Sequence, residues 1–311
     1  MIETVKTTVY KAFGLNLSSV YSLPELVQCN TENINIDVKI HKSELDEVWQ
    51  EQALSTQMAV IKEHSIMVMI PNVAIFLIEN GKDIRVSPFT GAKEDQIRLY
   101  LLGTCMGAIL MQRKILPLHG SAIVIEGKVY VLVGESGAGK STLASAFLQK
   151  GFKLVSDDVI PVIFSEDGIP LVIPAYPQQK LWQESLDSFG IDSSDLKPII
   201  DRETKYAVPV KSMFSNEILP LAGVFELTTT KENEIQITIV EGLQRFPTLY
   251  QHTYRQFFLE QAGLMKWHFQ TSVKLLNKLK VYQLKRPVNR FTANELTSLI
   301  LSTISKGEKT C

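Results

Sequence analysis

Residues 132 to 159 read LVGESGAGKSTLASAFLQKGFKLVSDDV, and the first half of that stretch leaves the backbone little choice. Gly134, Gly139, Lys140 and Ser141 match the pattern G-x-x-x-x-G-K-[ST]. Glycines at that spacing let consecutive backbone N–H groups turn inward without steric penalty, which makes a cradle for an anion. The apolar run before the loop is strand-like. The stretch after it is a short amphipathic helix, because Leu143 and Phe147 lie four apart, as do Ala144 and Leu148. Gly151 stands where such a helix ends. Strand, glycine turn and helix together make an α/β unit whose ligand is a nucleotide phosphate. The residues expected to touch it are Gly134, Glu135, Ser136, Gly137, Ala138, Gly139, Lys140, Ser141 and Thr142. Lys140 is expected to reach the β- and γ-phosphates, and the Ser141 hydroxyl to ligate Mg²⁺. The helix adds its positive N-terminal end.

Around this unit the chain divides at residues 93 and 94. Residues 1–93 read as strand-rich: 33–40 alternate apolar and polar positions, and Asn80-Gly81 separates two apolar runs as a tight hairpin does. Residues 94–114 are helix-like with a basic end, and open the nucleotide domain, 94–311. Two strands joined at Glu126-Gly127 lead into the loop. A strand follows over 152–164 and turns at 166–168 into another; a polar loop covers 187–201. The segments 219–230 and 234–240 read as a further hairpin, 254–280 as mostly helical, and 292–304 as the last helix. Thr292 and Glu295 stand in capping-box positions, and the tail from Ser305 reads as frayed.

Bulk properties narrow the function. A net charge of −1 argues against a broad surface for nucleic acid or anionic membrane. The longest apolar stretch, 99–111, is too short to span a bilayer, and the first residues lack the pattern of a signal peptide. Cys29, Cys105 and Cys311 fit neither a disulfide framework nor a metal site. These readings point to the cytoplasm, with neither a nucleic-acid nor a membrane partner.

Two further features bear on chemistry. His119, followed by Gly120, lies on the strand before the loop's own strand, and Asp157 and Asp158 lie on the strand after the loop's helix. Ligands in α/β folds sit at strand ends on one side of the sheet. An adjacent aspartate pair is commonest in solvated turns, and a lone histidine in an apolar strand is commonly just packed. Beside a phosphate loop, however, two carboxylates can divide the work: one holds Mg²⁺, the other accepts a proton from an attacking hydroxyl. Lys180, Arg202 and Lys205 are candidates for neutralising charge on a transferring phosphoryl group.

The run LHGSAIVIEGKVYVLVGESGAGKSTLASAFLQKGFKLVSDDV resembles the C-terminal catalytic domain of HPr kinase/phosphorylase, which has an HG pair, a G-[DE]-S-G-x-G-K-S loop and an aspartate pair. The resemblance implies that Asp158 accepts the proton of a serine hydroxyl and that Asp157 and Ser141 lie near Mg²⁺. It also implies that His119 positions the phosphate or Asp158. The chain departs from the HPr enzymes where their glycine- and glutamate-rich metal segment and later active-site arginine belong. It reads PAYPQQKLWQESL and IIDRETKYAVPV there, and looks instead like the HPr-kinase-like peptide kinases of lasso-peptide biosynthesis. The expectation is a P-loop α/β kinase domain of the HPr kinase C-terminal type. It would use ATP and Mg²⁺ to phosphorylate a serine of a precursor peptide or protein, at the C-terminus in the lasso case. The β-rich N-terminal region would recognise substrate, by strand addition at a sheet edge, or build homo-oligomer contacts. The rivals are a small-molecule hydroxyl kinase or carboxykinase-like enzyme, and a nucleotide-binding regulator that transfers nothing.

Overall fold

The computed structural model describes residues 7–29, 34–54, 56–199 and 202–308, without the side chains of Arg202, Glu203, Gly307 and Glu308. It is mixed α/β with several sheets, and packing divides it into two compact units. The first comprises Met1–Pro117, Ile199–Asp201 and Tyr254–Thr271; the second comprises Leu118–Pro198, Arg202–Thr253 and Ser272–Cys311. The compact units are thus drawn differently from the expected division at 93 and 94.

In the first unit, β1 (Thr8–Ala12), β2 (Leu15–Ser19), β3 (Val27–Cys29), β4 (Val38–Lys42), β5 (Ala59–Lys62), β6 (Ser65–Ile70), β7 (Ala74–Glu79) and β8 (Asp83–Pro88) form one sheet. Its order is β3-β1-β2-β4-β8-β7-β6-β5, so β3 and β5 are its edges. Asn80 (φ 53°) and Gly81 (φ 66°) make the turn between β7 and β8, as positive φ at both positions requires. The strand expected over 33–40 begins only at Val38; residue 33 lies outside the described residues. Helix α1 (Asp46–Gln52) seats Trp49 on Met67, Ile75 and Leu77. The helix expected from 94 is α2 (Glu94–Tyr100) and α3 (Met106–Gln112), joined through a π-helical turn at Leu101–Cys105.

The second unit is built on β9 (Leu116–Ile125), β10 (Lys128–Gly134), α4 (Lys140–Gln149), β11 (Lys153–Phe164), β12 (Pro170–Val172), β13 (Gln178–Trp182), α5 (Gln183–Phe189), β14 (Lys197–Ile199), β15 (Arg202–Pro209), β16 (Leu219–Thr230), β17 (Gln236–Val240) and α6 (Arg245–Gln251). The short α7 (Phe258–Gln261) belongs to the first unit, α8 (Met265–Leu276) runs across the division, and β18 (Lys280–Pro287) and α9 (Ala293–Glu308) complete the second. The main sheet has the order β10-β9-β11-β12-β16-β18-β17, and β16 also pairs in parallel with β10. The strands β10, β9, β11, β12 and β16 therefore close on themselves.

The expected hairpin of β16 and β17 does not form. Strand β18 lies between them, parallel to β16 and antiparallel to β17. Sequence neighbours lose to a strand arriving from further on because β18 buries Val281 and Leu284 within the sheet. On one side, α4 and α9 close a core of Leu132, Leu143, Phe147, Phe225, Leu284, Leu296 and Ile300. Two other readings change. The polar loop contains the end of α5 and β14, and β13, β15 and β14 make a small sheet of their own. The last helix runs on to Glu308 rather than fraying at Ser305, and Glu295 of the expected capping box is ion-paired with Arg290.

Candidate active site

Strand β10 carries the chain to Gly134, opposite Leu227 of the parallel β16. A Cβ on Gly134 would come 2.5 Å from the Leu227 carbonyl oxygen, so only glycine lets the two strands end this close. Gly137 (φ 86°) and Gly139 (φ 99°) then turn the backbone through the left-handed region into α4. Glu135, Ser136 and Gly137 are exposed, while Ala138 is buried under the loop. Lys140 is buried and folds back into the loop, its Nζ donating to the carbonyls of Gly134 (2.7 Å) and Glu135 (3.0 Å). Arg286 on β18 braces the outside: Nε donates to the Ala138 carbonyl at 2.7 Å and Nη2 to that of Gly137 at 3.3 Å. Nothing local in the sequence marks Arg286, because it lies far down the chain and reaches the loop only through the parallel pairing of β16 with β18.

The two aspartates converge through a break in strand geometry. Successive side chains of a regular strand point to opposite faces. Asp158 escapes this with φ 82°, a left-handed value that few residues other than glycine adopt. As a result both carboxylates meet Lys180 on β13. Asp157 Oδ2 accepts its backbone N–H at 2.9 Å, and Asp158 Oδ2 accepts from its Nζ at 2.5 Å. Asp157 Oδ1 also accepts from Ser121 Oγ (2.5 Å) and from Ser141 Oγ (3.2 Å), the hydroxyl at the start of α4. His119 Nδ1 lies 3.3 Å from Asp158 Oδ1 and 3.1 Å from the Asp158 carbonyl oxygen. The neighbouring Gly120 makes this possible, since a Cβ there would sit 2.1 Å from the Leu132 carbonyl of β10.

Electrostatics separate the pair. Burial pushes the Asp157 carboxyl up, only partly opposed by its bonds from Ser121 and from the Lys180 amide. Burial pushes Asp158 up as well, but the Lys180 ammonium and His119 outweigh it and hold this carboxyl well below the usual range. Burial lowers the Lys140 ammonium, with Asp157 and Asp158 pulling the other way. Asp158 is thus the firmly ionised member. Lys205, across from Trp182 in the small sheet, lies within electrostatic reach of both Lys140 and Asp157, with its Nζ 5.4 Å from the Trp182 ring centroid. The Arg202 side chain lies outside the described residues.

Behind His119 is a second polar group that sequence reasoning passed over. Glu226, on β16 beside Val133 of β10, is ion-paired through Oε1 with His252 Nε2 at 3.0 Å. It also accepts from Gln283 (3.3 Å) and Thr248 (3.4 Å). The His252 carbonyl accepts the His119 backbone N–H at 2.7 Å, so this network fixes the strand that carries His119.

The donor set around Asp157 fits a small hard cation. Mg²⁺ is held in such loops by one or two carboxylates together with phosphate oxygens and water, and Asp157 and Ser141 already share a hydrogen bond at the mouth of the loop. No cluster of three or more His, Cys, Asp or Glu side chains capable of holding a metal occurs among the described residues. A divalent ion here would therefore need the phosphates to complete its shell. Among the described residues, no helix is long and apolar enough to cross a membrane.

A strand–glycine loop–helix unit beside two unequal carboxylates is the arrangement in which α/β proteins commonly hold nucleotide phosphates. The particular likeness is to HPr kinase/phosphorylases, although no family model matches the chain. The enzyme of that name from Mycoplasmopsis pulmonis is 38% identical over 63 residues, which are 20% of this chain and 20% of that protein. The one from Lactobacillus gasseri is 26% identical over 106 residues, 31% of this chain and 33% of that protein. The likeness thus spans between a fifth and a third of the length of these curated relatives. Among solved structures, the Hpr(Ser) kinase/phosphatase from Coxiella burnetii matches with a TM-score of 0.31 and 14% identity, over 62% of this chain and 97% of that one.

Proposed function

We propose that the protein is a cytoplasmic ATP-dependent kinase that moves the γ-phosphoryl group onto a serine hydroxyl of a peptide. The acceptor to test first is the C-terminal serine of a lasso-peptide precursor. The observation that carries the reading is the convergence of Asp157 and Asp158 on Lys180 beside Ser141. A protein that only binds nucleotide has no use for a second, firmly ionised carboxylate there.

In this reading the loop amides and Lys140 hold the β- and γ-phosphates, Lys140 exchanging its two loop carbonyls for phosphate oxygens. The Ser141 hydroxyl and Asp157 would hold Mg²⁺, which would supply neutralisation of the phosphate charge. Asp158 orients the serine hydroxyl and takes its proton. A weak base suffices, because a loose phosphoryl-transfer transition state demands little deprotonation of the nucleophile before the bond forms. Lys180 keeps Asp158 ionised and adds positive charge beside the transferring group. His119 holds Asp158 in its left-handed turn. Substrate recognition is assigned to the first unit, where β3 and β5 are the edge strands and the candidates for strand addition.

Incubation with γ-labelled ATP, Mg²⁺ and serine-containing peptides, including those encoded beside the gene, tests the reading. Label should enter phosphoserine, and should fail to enter a peptide whose serine is replaced by alanine. Transfer to a small metabolite instead, or nucleotide binding with no transfer to any peptide, would overturn it.

A further inference from the structure

An aromatic pair is tethered to the glycine loop from both flanks and has no part in the mechanism above. On one flank, Thr142 in the first turn of α4 meets Ser185 Oγ of α5 at 2.7 Å. Phe189 follows four residues later on the same face of α5. On the other, Arg286 grips the carbonyls of Gly137 and Ala138, and the chain leaving β18 reaches Phe291 five residues on. The rings of Phe189 and Phe291 meet edge-on, with centroids 5.4 Å apart and an interplanar angle of 78°. Phe291 is nevertheless 45% exposed, and Val288 in the same connection is 59% exposed. A large ring paired at a steep angle and still nearly half exposed is poor economy for a core, but suits a planar ligand.

With its γ-end at Lys140 and Asp158, a phosphate chain would run its α-end toward the first turn of α4, where Thr142 meets Ser185. On that path the nucleoside would leave the loop alongside α5 and the β18–α9 connection. We propose that Phe291, braced by Phe189, is the stacking platform for the purine base of the nucleotide. This rests on the nucleotide reading above and adds the site of its base. Every purine offers a π-face, so such a platform supplies affinity without choosing between adenine and guanine.

Calorimetric titration of the full chain with Mg²⁺ and ATP, GTP or inorganic tripolyphosphate tests this. The wild type should bind ATP at least about ten-fold more tightly than tripolyphosphate. Phe291→Ala should weaken ATP and GTP by about ten-fold while leaving tripolyphosphate within about two-fold, and Phe291→Trp should restore ATP binding. Unchanged ATP affinity in Phe291→Ala, equal losses for ATP and tripolyphosphate, or a Trp variant as weak as Ala would each overturn the platform. A wild type that binds tripolyphosphate as tightly as ATP would overturn the platform alone. One that binds none of the three ligands would overturn the nucleotide reading with it.

Discussion

Replacing Lys180 by methionine removes the ammonium that holds Asp158 ionised and leaves the backbone bond to Asp157 in place. The pair is mostly buried, with 13% of the Lys180 side chain and 18% of the Asp158 side chain exposed, and its atoms are 2.5 Å apart. Breaking a buried ion pair from one side costs about 3–5 kcal/mol, chiefly because the remaining charge keeps its desolvation penalty. The residual exposure places Lys180→Met at the lower end, about 3 kcal/mol. Asp158→Asn leaves the ammonium stranded instead and should cost about 2 kcal/mol. If the two losses share one cause, the double variant should not lose the sum of about 5 kcal/mol. It should recover to within about 2 kcal/mol of wild type, a coupling of about 3 kcal/mol. Trp182, two residues from Lys180, reports on this region. With Trp49 and Trp267 changed to Phe it becomes the only tryptophan for urea unfolding at pH 7.5. A coupling below about 0.5 kcal/mol would show that Lys180 and Asp158 stabilise the site independently, and would refute the argument that one ionises the other.

Asp158→Asn should lower phosphoryl transfer by about 10²–10⁴-fold while changing nucleotide affinity less than about three-fold; retained turnover would remove Asp158 from the chemistry. Arg286→Ala should weaken nucleotide binding about ten-fold through loss of two charge-assisted bonds to the loop carbonyls, read by titration. Gly120→Ala should destabilise the second unit by at least about 3 kcal/mol, because its Cβ would lie 2.1 Å from backbone; an unchanged melting curve would contradict the strand spacing. Glu226 is held below its ordinary pKa by its bond from His252, so its stabilisation is present above the unfolded carboxylate value and fades as pH falls through the folded one. Glu226→Gln should therefore trail wild type by about 1–2 kcal/mol at pH 7, and the gap should close in melts taken progressively below about pH 4.

What could be read from residues alone was whatever a few neighbours decide among themselves. Strand, glycine loop and helix over 128–149 are legible because the loop needs left-handed turns at Gly137 and Gly139 and the helix shows its buried face at four-residue spacing. The turns at Asn80-Gly81 and Glu126-Gly127 are legible for the same reason, positive φ being a local demand. A DD dipeptide, by contrast, says nothing of φ 82° at Asp158, whose carboxylate meets His119 and Lys180 from two other strands. Glu226 and Arg286 likewise carry no spacing signal, since each reaches the site from a strand distant in the chain.

The sequence by itself thus determined that a glycine turn would join strand to helix, and which lysine and serine would stand where the helix begins. Tertiary structure alone decided that β18 would insert between β16 and β17 and bring Arg286 to the loop. It also decided that two successive carboxylates would face one lysine with opposite protonation tendencies. The reason is physical: backbone turns are settled by sterics within a few residues, whereas burial and charge depend on which distant strands the core brings together.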